Sequence, residues 1–127
     1  LNRSHRVTGR EALILPCLGR TESDHQASGE QFVTVENSMG VVHMSRGSLV
    51  PASEHLRSEP AIAAGIGSAC FGSEPFDWLG LLPDYDAIRA LIEKVIPVFG
   101  DYNSRVRQEG GFYLPNGPRD GPTYPLR

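Results

Sequence analysis

Apolar positions along the chain fall into a few short runs separated by turn-forming residues. Residues 12–15, Ala-Leu-Ile-Leu, are a continuous apolar run stopped by Pro16. A run of that length between polar flanks predicts a strand buried on both faces. Residues 17–30 are polar and carry turn formers at Gly19, Ser23, Asp24, Ser28 and Gly29, a loop signature. Residues 31–36 then alternate β-formers, with Phe32 to Val35 at the centre. Asn37-Ser38 follows, and a second β-rich run occupies residues 40–45. Two such runs around a short turn predict a β-hairpin.

The period then changes. After an irregular stretch over 46–56, with a candidate cap at Ser53, Ser58-Glu59-Pro60 reads as a helix start. Ser caps free amides, and Pro suits the first turn. Ile62, Ile66 and Ala69 share one face at helical spacing. Gly65 and Gly67 would each cost about 1 kcal/mol inside a helix. They predict a helix packed tightly against a neighbour. The strongest helical pattern covers 84–96, where Ile88, Leu91, Ile92, Val95 and Ile96 recur at three and four. Asp84 and Asp86 lie in its first turn and Lys94 in its last, each complementing the helix dipole. Pro97 ends or kinks it, and Gly100-Asp101 opens a short helix over 101–107. From Gly110 onward Gly and Pro dominate, which predicts an extended, poorly ordered tail.

Composition narrows the classes. The chain has 127 residues, with 12 Lys+Arg against 15 Asp+Glu and a net charge of -3. That length suits one domain with a real core. The acidic balance argues against a nucleic-acid module. No apolar stretch is long enough for a membrane span, and no leader-like sequence opens the chain. Gly (14) and Pro (10) are well above ordinary usage. Lys94 is the only lysine, and no chemistry follows from that. The start at Leu1 and the loop-rich ends lead to the expectation of an excerpt from a longer protein. Cys17 and Cys70 have no CxxC partner and sit in apolar company. They read as buried free thiols, which fits a reducing, cytoplasmic setting.

Candidate chemistry is sparse. No GxGxxG opens a helix, and there is no phosphate loop, HExxH or GxSxG. Glu22, Asp24 and His25 could bind a metal or do acid–base work, but their setting reads first as a solvated loop. His43, inside a strand pattern, reads as a satisfied, half-buried histidine. His5, His25, His43 and His55 lack ligand spacing. Asn2-Arg3-Ser4-His5 is dense in hydrogen-bonding groups. Ligands of open α/β sheets bind beyond the carboxyl ends of strands. If a strand lies upstream, these residues sit where a nucleotide would be contacted; an ordinary polar loop is the other reading.

Longer strings carry a resemblance. They are Ala12-Leu-Ile-Leu-Pro-Cys-Leu-Gly-Arg-Thr-Glu22, Val35 through Gly47, Leu56 through Ile62, and Leu1-Asn-Arg-Ser-His5 with Thr8-Gly9-Arg10. Asn103-Ser-Arg-Val-Arg107 and Gly110 through Asn116 complete them. Together they resemble the formate-dehydrogenase-like alpha (molybdopterin) subunits of the molybdopterin oxidoreductases, over nearly the whole chain. That superfamily shows an apolar strand ending in "VLP", an acidic residue, and an "N-x-E-G-R-x-Q" hairpin. Leu13 to Pro16, Glu22, and Asn37 to His43 match these in turn. Met39, Val41 and His43 depart from the acidic residue, Arg and Gln usual there, and favour the subgroup over the mainstream enzymes.

The resemblance implies an α/β fold: a partial Rossmann-like domain with a short buried strand, a β-hairpin and two to three helices, ending in an irregular Gly/Pro-rich tail. Residues 1–109 would close a central cofactor-binding domain, and 110–127 would be a linker toward a C-terminal β-barrel domain. It implies a parent enzyme with molybdenum or tungsten on a bis-molybdopterin guanine dinucleotide and a 4Fe-4S cluster. The metal and cluster ligands would lie upstream, so Cys17 and Cys70 receive no such role. Asn2, Ser4 and His5 are the cofactor-contacting candidates, Asn2 foremost. The fragment itself would be non-catalytic. Small-molecule substrate and redox partner would belong to the parent, with no nucleic acid and no membrane span. The alternative is a free-standing α/β binding or structural module without cofactor.

Overall fold

The computed structural model describes residues 9–121. It mixes helices with two small antiparallel sheets, as expected for a small α/β fold. Strands β1 (Asp24–Gln26) and β2 (Gly29–Gln31) form a two-stranded hairpin. Strands β3 (Val33–Glu36), β4 (Val41–Ser45) and β5 (Phe112–Tyr113) form the second sheet, in the order β3-β4-β5. The helices are α1 (Glu59–Phe71), α2 (Tyr85–Val95), α3 (Tyr102–Arg105) and α4 (Gly117–Asp120). Single 3₁₀ turns occupy Leu79–Leu81 and Pro97–Phe99.

The expected hairpin is β3–β4, with Val33 opposite Ser45 and Val35 opposite His43. Its turn is closed by Asn37, whose Oδ1 accepts from the Met39 and Val41 amides at 2.9 and 3.2 Å. Gly40 adopts φ +76 there, the left-handed conformation that glycine takes without strain. Both helix starts also follow the sequence. Ser58 caps α1 by accepting from Ala61 N, and Asp84 caps α2 by accepting from Asp86 N.

The corrected expectations fall in three groups. Residues 12–15 form no strand among the described residues, and Leu13 is 82% exposed. A continuous apolar run becomes a central strand only with neighbours on both edges. The one pairing near it is an isolated parallel bridge between Cys17 and Arg57. Parallel pairing among the described residues is otherwise limited to a bridge between Glu22 and Leu49, and both described sheets are antiparallel. Cys17 and Cys70 are exposed, not buried.

The second correction concerns α1. Its buried residues are Ala64 and Gly67, while Ile66 is half exposed and Phe71 largely so. Gly67 does mark a close approach: a Cβ there would lie 2.6 Å from the Trp78 ring. Gly65 faces open space instead. The approach is by an indole resting on the helix, so one small-residue stripe suffices.

The third concerns the tail. Gly110 and Gly111 turn the chain with φ +78 and +72, and a Cβ on Gly111 would lie 2.1 Å from the Val42 carbonyl oxygen. That approach lets Phe112 pair with Val42 and Tyr113 with Val41. Arg119 then donates to the Met39 and Leu114 carbonyls at 3.0 and 2.8 Å, tying α4 to the hairpin turn. Residues 110–121 are therefore part of the fold. The core comprises Phe32, Val42, Tyr102, Val106 and Phe112, with Met44, Ile92, Phe99 and Leu114 against it.

Candidate functional site

Asn2, Ser4 and His5 lie outside the described residues. Within them, a cleft of about 280 Å³ lies between the two hairpins and the start of α1. Arg20, Glu22, Asp24, Arg46 and Ser58 bring polar groups to it, and Phe32 and Val33 an apolar wall. A second cavity, of about 360 Å³, lies beside it and includes His25, Ser53 and Arg57. Leu18, Asp24 and Ser58 line both.

A hydrogen-bond network stands between the two cavities. The Tyr85 hydroxyl donates to Asp24 Oδ2 at 2.6 Å and lies 2.5 Å from Ser58 Oγ. Gln26 Nε2 donates to Asp24 Oδ1 at 2.7 Å. Gln31 Oε1 accepts from the Tyr85 amide at 2.9 Å, while its Nε2 donates to Ser28 Oγ at 2.8 Å. The network joins the β1–β2 hairpin, the cap of α1 and the first residue of α2. Tyr85 and Ser58 are buried, and every buried side-chain polar atom described has a partner. Such a network fixes the relative placement of three elements. Ser58 was legible as a cap; Tyr85 was not, because nothing in the α2 pattern marks a tyrosine beside the cap as a hub.

Tyr85 also carries a testable pH dependence. Burial first, and then the hydrogen bond to Asp24, push its pKa above the ordinary 10.0. A raised folded-state value means the stabilisation is complete below pH 10.0 and is lost as pH climbs toward the folded value. Tyr85→Phe leaves Asp24 and Ser58 short of a partner and should cost about 1–3 kcal/mol at neutral pH. It should also flatten the loss of stability on the alkaline side. Denaturant unfolding of both forms across that range checks this; parallel alkaline slopes would refute it.

The Glu22, Asp24 and His25 group does not converge. Alternation along β1 sends Asp24 into the network, while His25 lines the second cavity only. Glu22 accepts from the Ala52 amide at 2.6 Å and from the Gly19 amide. Those backbone bonds, Gly19 first, hold its carboxyl below the usual range. Among the described residues no group of three His, Cys, Asp or Glu side chains could hold a metal. His43 is half-buried, with Nδ1 3.1 Å from the Met44 carbonyl oxygen, as the strand pattern suggested. Partial desolvation, then the carboxylates of Glu59 and Glu22, hold the Cys17 thiol above its usual value, so it is not an activated thiolate.

Neither of the two cavities has the volume for a whole molybdopterin guanine dinucleotide. Drug-sized ligands already occupy pockets of about 300–1,000 Å³, and the larger described cavity reaches about 360 Å³. The cleft also sets Glu22 and Asp24 beside Arg20 and Arg46, a mixed lining ill-suited to a pyrophosphate. No helix described is long and apolar enough to cross a membrane.

Comparison with known proteins gives relatives of greater length. The chain is 53% identical over 116 residues to Protein YdeP of Escherichia coli (strain K12), covering 91% of this chain and 15% of that protein. Protein YdeP of Shigella flexneri matches to the same extent. A protein of Mycobacterium tuberculosis (strain H37Rv), named an uncharacterized oxidoreductase, is 50% identical over 121 residues, covering 94% of this chain and 16% of its own. The chain thus spans about a sixth of the curated relatives it matches. No family model matches, and no solved structure does.

Proposed function

We propose that the chain is a scaffold segment of a longer oxidoreductase, molybdopterin-dependent and formate-dehydrogenase-like. The observation that carries the oxidoreductase reading is 50% identity, over 94% of the chain, to a protein named an uncharacterized oxidoreductase. The narrower class rests on the motif resemblance, from Leu1 through Asn116. In this reading the chain supplies one outer wall of the dinucleotide site in a cytoplasmic enzyme. Asn2, Ser4 and His5 are the proposed contacts to the guanine nucleotide. The bis-molybdopterin guanine dinucleotide, with Mo or W, and the 4Fe-4S cluster are held by other parts of the parent. When bound there, they would supply the two-electron chemistry between a small-molecule substrate and a redox partner. The residues described here contribute rigidity: the Asp24–Tyr85–Ser58 network and the β3-β4-β5 sheet hold the wall in one shape.

Expression of the full-length parent in a cofactor-producing host tests this. Elemental analysis should find Mo or W with iron, pterin analysis should find guanine nucleotide, and formate is the first substrate to assay. A parent that purifies folded but free of both metals would sink the reading.

A further inference from the structure

The most exposed aromatic surface lies away from both cavities, where the end of α1 meets the loop before α2. Phe71 is 72% exposed and Phe76 36%. Both pack on Trp78, at ring-centroid distances of 6.1 and 4.7 Å. Trp78 in turn lies on Gly67 of α1, so the three rings form a platform anchored to a helix. Single exposed apolar residues are ordinary, but contiguous exposed rings mark a contact surface.

The surroundings of the platform say what would cover it. Glu74 and Asp77 are exposed between its rings in sequence. Neither takes part in an ion pair among the described residues. From Ser58 to Ile88 the chain has no Lys, Arg or His and five carboxylates. An anionic lipid surface or a phosphate backbone would be repelled by this rim. A second copy docking the same patch on itself would oppose like carboxylates. A polypeptide bearing apolar and basic side chains satisfies both the rings and the rim.

We propose that the Phe71–Phe76–Trp78 platform is an internal docking surface, covered by a basic, apolar segment of the same longer polypeptide. This rests on the reading that the chain is one segment of a larger protein. The room for such a segment is large, because the chain spans 15% and 16% of its relatives.

Two measurements on the purified full-length parent test it, and neither needs cofactor or activity. Cys70 adjoins Phe71 and is exposed in this structure, so it reports on cover. Maleimide labelling of Cys70, followed on its own tryptic peptide, should be at least about tenfold slower in the native parent than in denaturant. Zero-length carbodiimide coupling should join Glu74 or Asp77 to lysines beyond these 127 residues. In a mixture of isotopically light and heavy parent, those links should stay within one molecule. Labelling of Cys70 at the denatured rate, or absence of the links, would overturn the proposal. Links only between light and heavy molecules would overturn it in favour of a second copy. Metal analysis of the same sample reports separately on the oxidoreductase reading, so the two can fail independently.

Discussion

Phe112→Ala should destabilise the fold by about 3–5 kcal/mol, the range for removing a buried phenylalanine ring. Phe112 is 7% exposed, on the short strand β5, within the tail that composition marks as irregular. Its ring packs edge-on to Tyr102 and Phe99, at centroid distances of 5.8 and 6.2 Å. The Arg105 guanidinium lies 3.9 Å over its face. Truncation therefore opens a cavity in the one cluster that joins β4, α3 and β5, and it removes a cation–π contact. Tyr113→Ala is the control. That residue is 60% exposed on the opposite face, with the Arg119 guanidinium 4.6 Å from its ring. It should cost about 0.5–1 kcal/mol. Denaturant unfolding of the two variants against the parent sequence gives the comparison. Equal, small effects would mean that residues 110–121 do not belong to the folded unit.

The outcome at Phe112 bears on what a sequence can reveal. Local rules were sufficient wherever the cause is local. The β3–β4 hairpin follows from alternation and a turn at Asn37–Gly40, and α1 and α2 start at the expected Ser58 and Asp84. The misreadings share one cause, which is dependence on distant partners. Gly110-Gly111 looks like linker composition, yet Gly111 is required because β4 passes too close for a Cβ. Ala12–Leu15 looks like a central strand, but its pattern says nothing about whether neighbours are present. The candidate site divides the same way. Ser58 was visible as a helix cap and Asp24 as a turn former; the Tyr85–Asp24 bond that unites them spans 61 positions of sequence, and no spacing rule reaches that far. The stripe of α2 that meets the rest of the molecule shows the limit most directly. Periodicity selects Ile88, Leu91, Ile92, Val95 and Ile96, and Ile92 does pack against the core, yet Tyr85 and Arg89 are the buried residues and Val95 is 77% exposed. A charged residue four positions from a tyrosine was a signal, legible only to a reading that admits buried arginine.

Arg89→Leu should destabilise by about 3–5 kcal/mol, because removing one member of a buried charged network leaves its partners unsatisfied. Arg89 is 4% exposed. Its guanidinium lies 4.0 Å over the Phe32 ring, donates to the Phe32 carbonyl at 3.1 Å and to Asn103 Oδ1 at 2.6 Å, and pairs with Asp86. Arg107 reaches the same carboxylate at 2.8 and 2.9 Å. Leucine would fill the space but leave the Phe32 carbonyl without its donor. Arg89→Lys should recover only part of the loss, since an ammonium cannot serve three partners in the fixed plane of a guanidinium. The acid limb of stability gives a second check through Asp86. Partial burial works to raise its pKa, but the hydrogen bonds and charges of Arg107 and Arg89 outweigh it, and the carboxyl is held below its ordinary 3.8. A depressed folded-state value means the stabilisation is complete above pH 3.8 and is lost as pH falls through the folded value. Asp86 remains about a third exposed, so solvent screens part of the effect. Asp86→Asn should therefore lower stability at neutral pH by less than Arg89→Leu and weaken the decline below pH 3.8. Unfolding curves at neutral and acid pH distinguish this from a simple packing role, in which the two substitutions would shift stability equally at every pH.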